Sequence, residues 1–248
     1  MLRIGHRGAP GWPRKAENTI FSFRKALRGG ANAIEFDVRR CKDEIIVLHD
    51  KTFERITGGV HTDEVRYLQY AHLYSLYNRY CSANGIGEKE VHIPLLSDVL
   101  KRFGDQCFLI IELKERGIGK DVFDMVRAEK LENRVIISAS DFLEGDSHEK
   151  ASLPWEELVP LAQEVAVAPL VTMRNVMYMG YQEIISRTKD MGAVAIHANK
   201  TISREKFLIQ AQRNGLQMHV WTVNKEKEIA HLKKLGVDGI MSDFPERL

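Results

Sequence analysis

Short apolar runs recur along the chain at intervals that suit alternating strands and helices. Eight of these runs lie at residues 2–6, 33–38, 107–113, 134–140, 164–171, 193–198, 217–223 and 238–243. Segments with helical periodicity separate them, among them TIFSFRKALRGG, with Asn18 or Thr19 as the expected N-cap, and KEIAHLKKLG. Eight strand–helix repeats without a linker predict one closed (β/α)8 TIM barrel; the alternative is an open, doubly wound sheet.

One further apolar run, EIIVLHD at residues 44–50, does not fit this count. It begins only five or six residues after the preceding strand ends. A parallel pair needs a crossover of about a dozen residues or more, whereas an antiparallel pair needs only a tight turn. RRCKDE is therefore predicted to be a hairpin turn, and residues 44–49 an extra strand. The stretch from 51 to about 93 is then predicted to be an insertion in a single domain spanning residues 1–248.

Composition and charge narrow the classes of function. The 248 residues are 44% hydrophobic and 28% charged, with a formal net charge of +2, so nucleic acid is not an expected partner. No apolar run reaches the length of about 18 residues that a membrane span needs, so stable membrane insertion is not expected. The N-terminal sequence lacks a secretory pattern and the three cysteines are widely spaced, so a cytoplasmic location is expected.

Two carboxylates interrupt the apolar strand AIEFDV. Glu35 and Asp37 are two residues apart, so both project from one face, near the C-terminal rim of the predicted barrel. Adjacent buried carboxylates repel each other, and burying them without compensation costs several kcal/mol or more. A hard divalent cation would relieve that cost, because such ions prefer oxygen ligands. A surface strand with its polar face outward is the alternative.

The strand FLIIELK repeats this arrangement. Glu112 and Lys114 share a face at the end of an otherwise apolar strand. A third carboxylate would complete the protein ligands of a hard-metal site, and Lys114 could hold an anion that the metal also contacts. The alternative is a structural ion pair between the two residues.

Two histidines complete the set of candidate residues. His6 ends the first strand and His49 ends the hairpin strand, so both are expected near the carboxylates. A lone histidine is more often structural than catalytic. Two imidazoles together with a cation, Arg7 and Lys114 nevertheless suit phosphoryl chemistry, because cationic groups neutralise phosphate oxygens and imidazoles transfer protons near neutral pH.

Several motifs then occur in a characteristic order: HRG (6–8), AENT (16–19), the E-x-D pair (35–37), HD (49–50), RITGG (55–59), IPLLSDVL (93–100), IELK (111–114), WTVN (221–224) and GVDGIMSDFP (236–245). Through these motifs the chain resembles the glycerophosphodiester phosphodiesterase (GDPD) family over nearly its whole length. The resemblance implies a TIM barrel with a GDPD insertion between 51 and about 93. It also implies metal ligation by Glu35, Asp37 and Glu112, acid/base roles for His6 and His49, and phosphate contacts from Arg7 and Lys114.

The resemblance implies an activity as well. One divalent cation, Mg²⁺ or Ca²⁺ with Mn²⁺ as a further candidate, would assist hydrolysis of a glycerophosphodiester such as glycerophosphocholine or glycerophosphoethanolamine. The products would be sn-glycerol 3-phosphate and an alcohol. Two alternatives remain open: a phospholipase D-like enzyme acting on lysophospholipids or sphingolipids, and a non-catalytic barrel that only binds. Which histidine is the acid and which the base also stays open.

Other side chains carry weaker expectations. Trp221, at a strand end, is expected to form a wall of the substrate pocket, with core packing as the alternative. Glu17 is expected to act as a capping acid at the entry of the first helix, and Asp50 to orient the hairpin or His49. Five tyrosines between residues 67 and 80 are expected along one side of a helix. They would dock the insertion on the barrel, contact the substrate, or form the surface of a homodimer.

Overall fold

Eight parallel strands close into a barrel in the computed structural model, which describes residues 1–11, 16–57, 59, 61–83, 91–140 and 154–248. The strands are β1 (Leu2–His6), β2 (Ala33–Arg40), β3 (Ile45–Val47), β4 (Phe108–Leu113), β5 (Val135–Ala139), β6 (Ala166–Val171), β7 (Ala195–Asn199), β8 (Gln217–Trp221) and β9 (Gly239–Ser242). Strand β1 pairs in parallel with both β2 and β9, which closes the sheet and excludes the open alternative. The predicted (β/α)8 barrel is confirmed.

An α-helix lies between successive barrel strands, as the periodicity predicts, except between β5 and β6, where the described residues form only the 3-10 helix Pro154–Glu157. The α-helices are α1 (Ile20–Arg28), α2 (Glu54–Thr57), α3 (Tyr70–Ala83), α4 (Leu96–Phe103), α5 (Gly119–Ala128), α6 (Met173–Asp190), α7 (Glu205–Arg213) and α8 (Glu226–Leu235). Thr19 is the N-cap of α1: its side chain accepts a hydrogen bond from Ser22 N (3.2 Å) in a capping box. Among the described residues, no helix combines the length and the hydrophobicity that a bilayer crossing requires.

The hydrophobic core has two layers, one between barrel and helices and one inside the barrel. On β2, the side chains of Ile34, Phe36 and Val38 pack in the outer layer, whereas Ala33 packs in the inner one. Side chains alternate along a strand, so Glu35 and Asp37 belong to the same face as Ala33 and point into the barrel. The alternative of a solvent-facing polar strand is therefore wrong.

The extra strand is the predicted hairpin partner. Strand β3 runs antiparallel to β2, with Val47 opposite Val38, and the turn is held by a bond from Cys41 N to Glu44 O (2.9 Å). Strand β3 pairs only with residues 38–40 at the end of β2, and β4 pairs in parallel with residues 33–38, so β4 is the next barrel neighbour of β2. This arrangement brings the carboxylates of β2 and β4 together.

The segment after β3 builds a separate apolar cluster around the helix α3. Tyr77 is buried in that cluster, and the hydroxyl of Tyr70 donates to Ile93 O (3.0 Å), whereas Tyr67 precedes the helix and is largely exposed. The tyrosine stripe thus packs this segment in part. Its limits as an insertion stay a prediction, since residues 58, 60 and 84–90 lie outside the described part of the chain.

Candidate active site

Three carboxylates converge at the C-terminal rim of the barrel. In the strand register, Glu35 on β2 lies beside His6, and Asp37 on β2 lies beside Glu112 on β4. All three acids are buried, and one oxygen from each lies within 4.8 Å of the others. The three residues that the sequence singles out as metal ligands therefore form one cluster.

Two cations partly neutralise the carboxylate cluster. Arg7 Nε lies 3.1 Å from Asp37 Oδ2, and Lys114 Nζ lies 3.1 Å from Asp37 Oδ1 while also contacting Glu112 Oε1. Burial by itself would raise the pKa of Asp37, but Lys114 and Arg7 outweigh it and hold that pKa below its ordinary value. The pKa of Glu35 is raised well above its ordinary value by burial and by the charges of Asp37 and Glu112. The positive charge of Arg7 and Lys114 is thus smaller than the negative charge that the three carboxylates would carry when ionised.

The donor set fits a hard divalent cation. Three carboxylate oxygens at this spacing are the ligands that Mg²⁺, Ca²⁺ and Mn²⁺ prefer. Asp37 Oδ1 is buried and contacts Lys114 Nζ at 3.1 Å, which still leaves three carboxylates facing the two described cations Arg7 and Lys114. The cluster of Glu35, Asp37 and Glu112 could hold one metal ion.

His6 is held by an acid from the far end of the chain. Its Nδ1 donates to Asp243 Oδ1 at 2.7 Å, which leaves Nε2 on the side of Glu35 Oε2, 4.0 Å away. Asp243 is itself fixed by Asn224, whose Nδ2 donates to Asp243 Oδ2 (2.7 Å) and whose Oδ1 accepts from Asp243 N (2.9 Å). Burial lowers the pKa of His6, and the hydrogen bond to Asp243 opposes that effect. A buried carboxylate that orients an imidazole is a recurring feature of acid–base sites.

His49 has the same kind of partner but a more open position. Its Nδ1 donates to Asp50 Oδ1 at 2.7 Å, and Asp50 Oδ2 accepts from Arg55 Nε at 2.6 Å. The His49 side chain is 32% exposed, against 10% for His6. Asp50 therefore contacts His49 as the sequence suggests. Glu17 accepts instead from Arg7 and Arg55, so it joins this charge network rather than capping α1.

The turn after β1 is tightly packed against α1. Arg7 has φ +52° and Gly8 has φ +83°, both in the left-handed region. A Cβ on Gly8 would lie 2.6 Å from the backbone of Ser22, so only glycine fits there. This turn points Arg7 N at Glu35 Oε2, 2.9 Å away. Asn18, also at positive φ, donates from Nδ2 to Asp37 Oδ2 at 2.8 Å.

Most of the predicted site residues line one pocket of about 170 Å³. Its lining includes His6, Arg7, Glu35, His49, Glu112, Lys114 and Trp221. Asp37 is fully buried and outside this lining. Trp221 is partly exposed, and its Nε1 donates to His197 O at 2.9 Å, which fixes the indole against the pocket. None of the described tyrosines lines this pocket, so the expectation that their rings overhang it finds no support.

Four residues of the site have no role in it assigned from the sequence. Asn18 and Asn224 contact acids of the site, and Asp243 holds His6, although all three lie inside motifs that the sequence displays. His197 lines the pocket and its Nε2 lies 3.2 Å from His219 Nδ1, so the pair forms a buried hydrogen bond inside the barrel. Asp243 had a usable signal, since it is the only acid at the end of the last strand in the sequence GIMSD.

The barrel carries carboxylates, two imidazoles and two cations together at its C-terminal rim. This combination defines a TIM-barrel hydrolase suited to phosphate esters. The match between chain and family is specific. The chain belongs to the glycerophosphoryl diester phosphodiesterase family, whose model covers residues 6–247. The family and the phosphodiesterase class expected from the sequence are confirmed, and the alternative of a barrel that only binds is not supported.

Individual relatives match over nearly all of this chain and most of their own length. A glycerophosphodiester phosphodiesterase of Bacillus altitudinis is 31% identical, with 100% of this chain and 96% of the relative covered. A lysophospholipase D of Mus musculus is 27% identical, with 99% and 84% covered. The crystal structure of a glycerophosphodiester phosphodiesterase from Thermotoga maritima matches with a TM-score of 0.78 and 23% identity, covering 99% of this chain and 96% of that one.

Proposed function

We propose that this protein cleaves water-soluble glycerophosphodiesters, such as glycerophosphocholine and glycerophosphoethanolamine, to sn-glycerol 3-phosphate and a free alcohol. One observation carries the proposal: a cluster of three buried carboxylates, two of which line the catalytic pocket, lies beside two carboxylate-backed imidazoles that line the same pocket. The family match supports the reaction class. Glu35, Asp37 and Glu112 would hold one Mg²⁺, Ca²⁺ or Mn²⁺ ion.

A bound cation at this cluster would act as a Lewis acid and lower the cost of negative charge on the phosphoryl group. The remaining chemistry belongs to the protein. Arg7 and Lys114 border the pocket beside the carboxylates, and they would pair with non-bridging phosphate oxygens. Such pairing orients the diester and favours the more highly charged transition state.

The two histidines would divide the proton transfers. One imidazole accepts the proton of the nucleophile, either water or the glycerol hydroxyl next to the phosphate. The other donates a proton to the departing alkoxide, so the alcohol leaves neutral. Asp243 and Asp50 hold Nδ1 of His6 and His49 respectively, which leaves both Nε2 atoms for these transfers.

A lysophospholipase D activity is the second candidate, and the mouse relative favours it. The reacting groups would be the same, but an acyl chain would have to leave the catalytic pocket, whose volume is about 170 Å³. We propose the water-soluble diester as the better substrate, because a pocket of this size suits a small polar alcohol and glycerol.

The test is a paired substrate assay. Purified protein is incubated with glycerophosphocholine or with lysophosphatidylcholine, and released sn-glycerol 3-phosphate and choline are measured separately. Each assay is repeated after exhaustive chelation and after Mg²⁺, Ca²⁺ or Mn²⁺ is restored. The proposal expects faster turnover of glycerophosphocholine and its loss on chelation. Faster release of choline from the lysophospholipid would favour the second candidate.

A further inference from the structure

The motif RITGG (55–59) begins with Arg55, to which the proposed chemistry gives no role. Arg55 lies on α2, in the segment that follows the hairpin. Its guanidinium group donates to two acids: Nε donates to Asp50 Oδ2 at 2.6 Å, and Nη2 donates to Glu17 Oε1. Each of these acids also accepts a hydrogen bond from one residue of the catalytic pocket.

The first acid, Asp50, lies behind His49. Its Oδ1 accepts from His49 Nδ1 at 2.7 Å while its Oδ2 accepts from Arg55, so the carboxylate is held at both oxygens. Burial would raise the pKa of Asp50, but the hydrogen bonds from His49 and Arg55 outweigh it and hold that pKa below its ordinary value. Asp50 therefore stays ionised and accepts from both donors, and Arg55 fixes the carboxylate that aligns the imidazole.

The second acid, Glu17, is shared between two guanidinium groups. Its Oε1 accepts from Arg7 Nη1 at 3.1 Å and from Arg55 Nη2. The Glu17 side chain is 8% exposed, so solvent and salt screen its charge only weakly. Without Arg55, Arg7 would have to balance this carboxylate alone. An arginine committed to a buried acid in this way pairs less readily with a phosphate oxygen.

Arg55 is presented from a packed turn rather than from within the pocket. Phe53, just before α2, is fully buried in the apolar cluster around α3. Its carbonyl oxygen accepts from both the backbone nitrogen (2.9 Å) and the hydroxyl (2.6 Å) of Thr57, which holds the turn that carries Arg55. The side chain of Arg55 does not line the catalytic pocket, so it can act on the reaction only through its two acids.

We propose that Arg55 is a positioning residue that holds His49 through Asp50 and Arg7 through Glu17, so that the segment after β3 takes part in building the catalytic site. The inference deepens the proposed function and rests on it. The two contacts act on groups with different tasks and so affect different kinetic parameters. His49 transfers a proton, so its alignment governs kcat, whereas Arg7 pairs with phosphate, so its availability governs chiefly KM.

The experiment is a pair of double-mutant cycles, with glycerophosphocholine as substrate and saturating metal. We expect Arg55→Gln to lower kcat about tenfold or more and to raise KM about threefold or more. In an Asp50→Asn background, Arg55→Gln should cause little further loss of kcat, because the contact through which it acts is already changed. In a Glu17→Gln background it should cause little further rise of KM. An arginine with a merely structural role would add its full effect in both backgrounds.

The matched control is Arg187→Gln, which should keep the wild-type kcat and KM. Arg187 lies in the last turn of α6 and is 45% exposed, against 50% for Arg55. It also donates from Nε to an acid at 2.6 Å, here Glu183. Thermal denaturation of each variant checks that the fold is intact.

The cycles are repeated with Arg55→Lys, so that the test does not depend on the folding of one variant. Lysine keeps the charge but not the planar pair of donors, so it should show the same pattern with smaller effects. An active wild type whose Arg55→Gln variant keeps kcat and KM within twofold would overturn this inference alone. Effects that multiply fully in either double variant would do the same. Absence of hydrolysis by the wild type would overturn the proposed function and this inference together.

Discussion

The substitution Asp243→Asn should impair the proposed catalysis through the tautomer of His6. In the native site, Asp243 accepts a hydrogen bond at each oxygen from a described side chain: Oδ1 from His6 Nδ1 and Oδ2 from Asn224 Nδ2, each at 2.7 Å. An asparagine must present an amino group at one of these positions. At the first it would donate to His6 Nδ1 and force the proton onto Nε2. At the second it would face the amino group of Asn224.

Asn224 cannot relieve this conflict by turning its amide. Its Oδ1 accepts from Asp243 N at 2.9 Å and from the hydroxyl of Ser242 at 3.1 Å, so both donors hold the present orientation. An amino group facing His6 thus removes the Nε2 lone pair of His6. An amino group facing Asn224 leaves a buried donor without an acceptor. Acid–base groups contribute about 10²–10⁴ to rate, so we expect kcat to fall by that factor, or about 2.7–5.5 kcal/mol of activation free energy.

The assay is release of sn-glycerol 3-phosphate from glycerophosphocholine under saturating metal, with kcat and KM determined separately. We expect KM to change little, because Asp243 lies behind His6 and outside the pocket lining. The control is Asp238→Asn, at the opposite end of the barrel, where the carboxylate accepts from Met218 N. An Asp243→Asn enzyme whose kcat stays within threefold of the wild type would refute this role for the Asp243–His6 pair.

Three further predictions follow from the same geometry. Glu112→Gln should abolish metal-restored activity after chelation while the thermal midpoint stays near that of the wild type; activity that survives chelation would contradict the metal assignment. His49→Ala should lose about 10² or more in kcat with glycerophosphocholine, and a wild-type kcat would make His49 structural. Comparison with a p-nitrophenyl ester of glycerol phosphate, whose leaving group needs no proton, then assigns the roles: a much smaller loss with that ester makes His49 the acid, and an equal loss makes His6 the acid. Burial lowers the pKa of His219 to about 4, whereas its pKa in the unfolded chain is about 6.5. The imidazole is therefore neutral in both the folded and the unfolded protein above pH 6.5. Between pH 6.5 and pH 4 it takes up a proton only in the unfolded protein. Across that window the wild type should lose about 3 kcal/mol of unfolding free energy relative to His219→Gln, measured by urea denaturation; parallel pH profiles would contradict this.

The repeated pattern of the sequence determined the barrel. Apolar runs separated by amphipathic segments predict strands and helices locally, and the observed strands differ from the predicted runs by at most two residues at either end. The short link before Ile45 predicted the hairpin, because chain length alone forbids a parallel crossover there. The two-residue spacing of Glu35 and Asp37 likewise fixed their common face before any tertiary contact was known.

The tertiary structure alone decided which distant residues meet. Asp243 and His6 are 237 positions apart and become neighbours because β9 closes the barrel against β1. The bond from Asn18 to Asp37 depends on how the turn before α1 packs against β2. Such contacts leave no periodic trace in the sequence, because they depend on side-chain positions set by closure of the sheet rather than on the local preference of either segment.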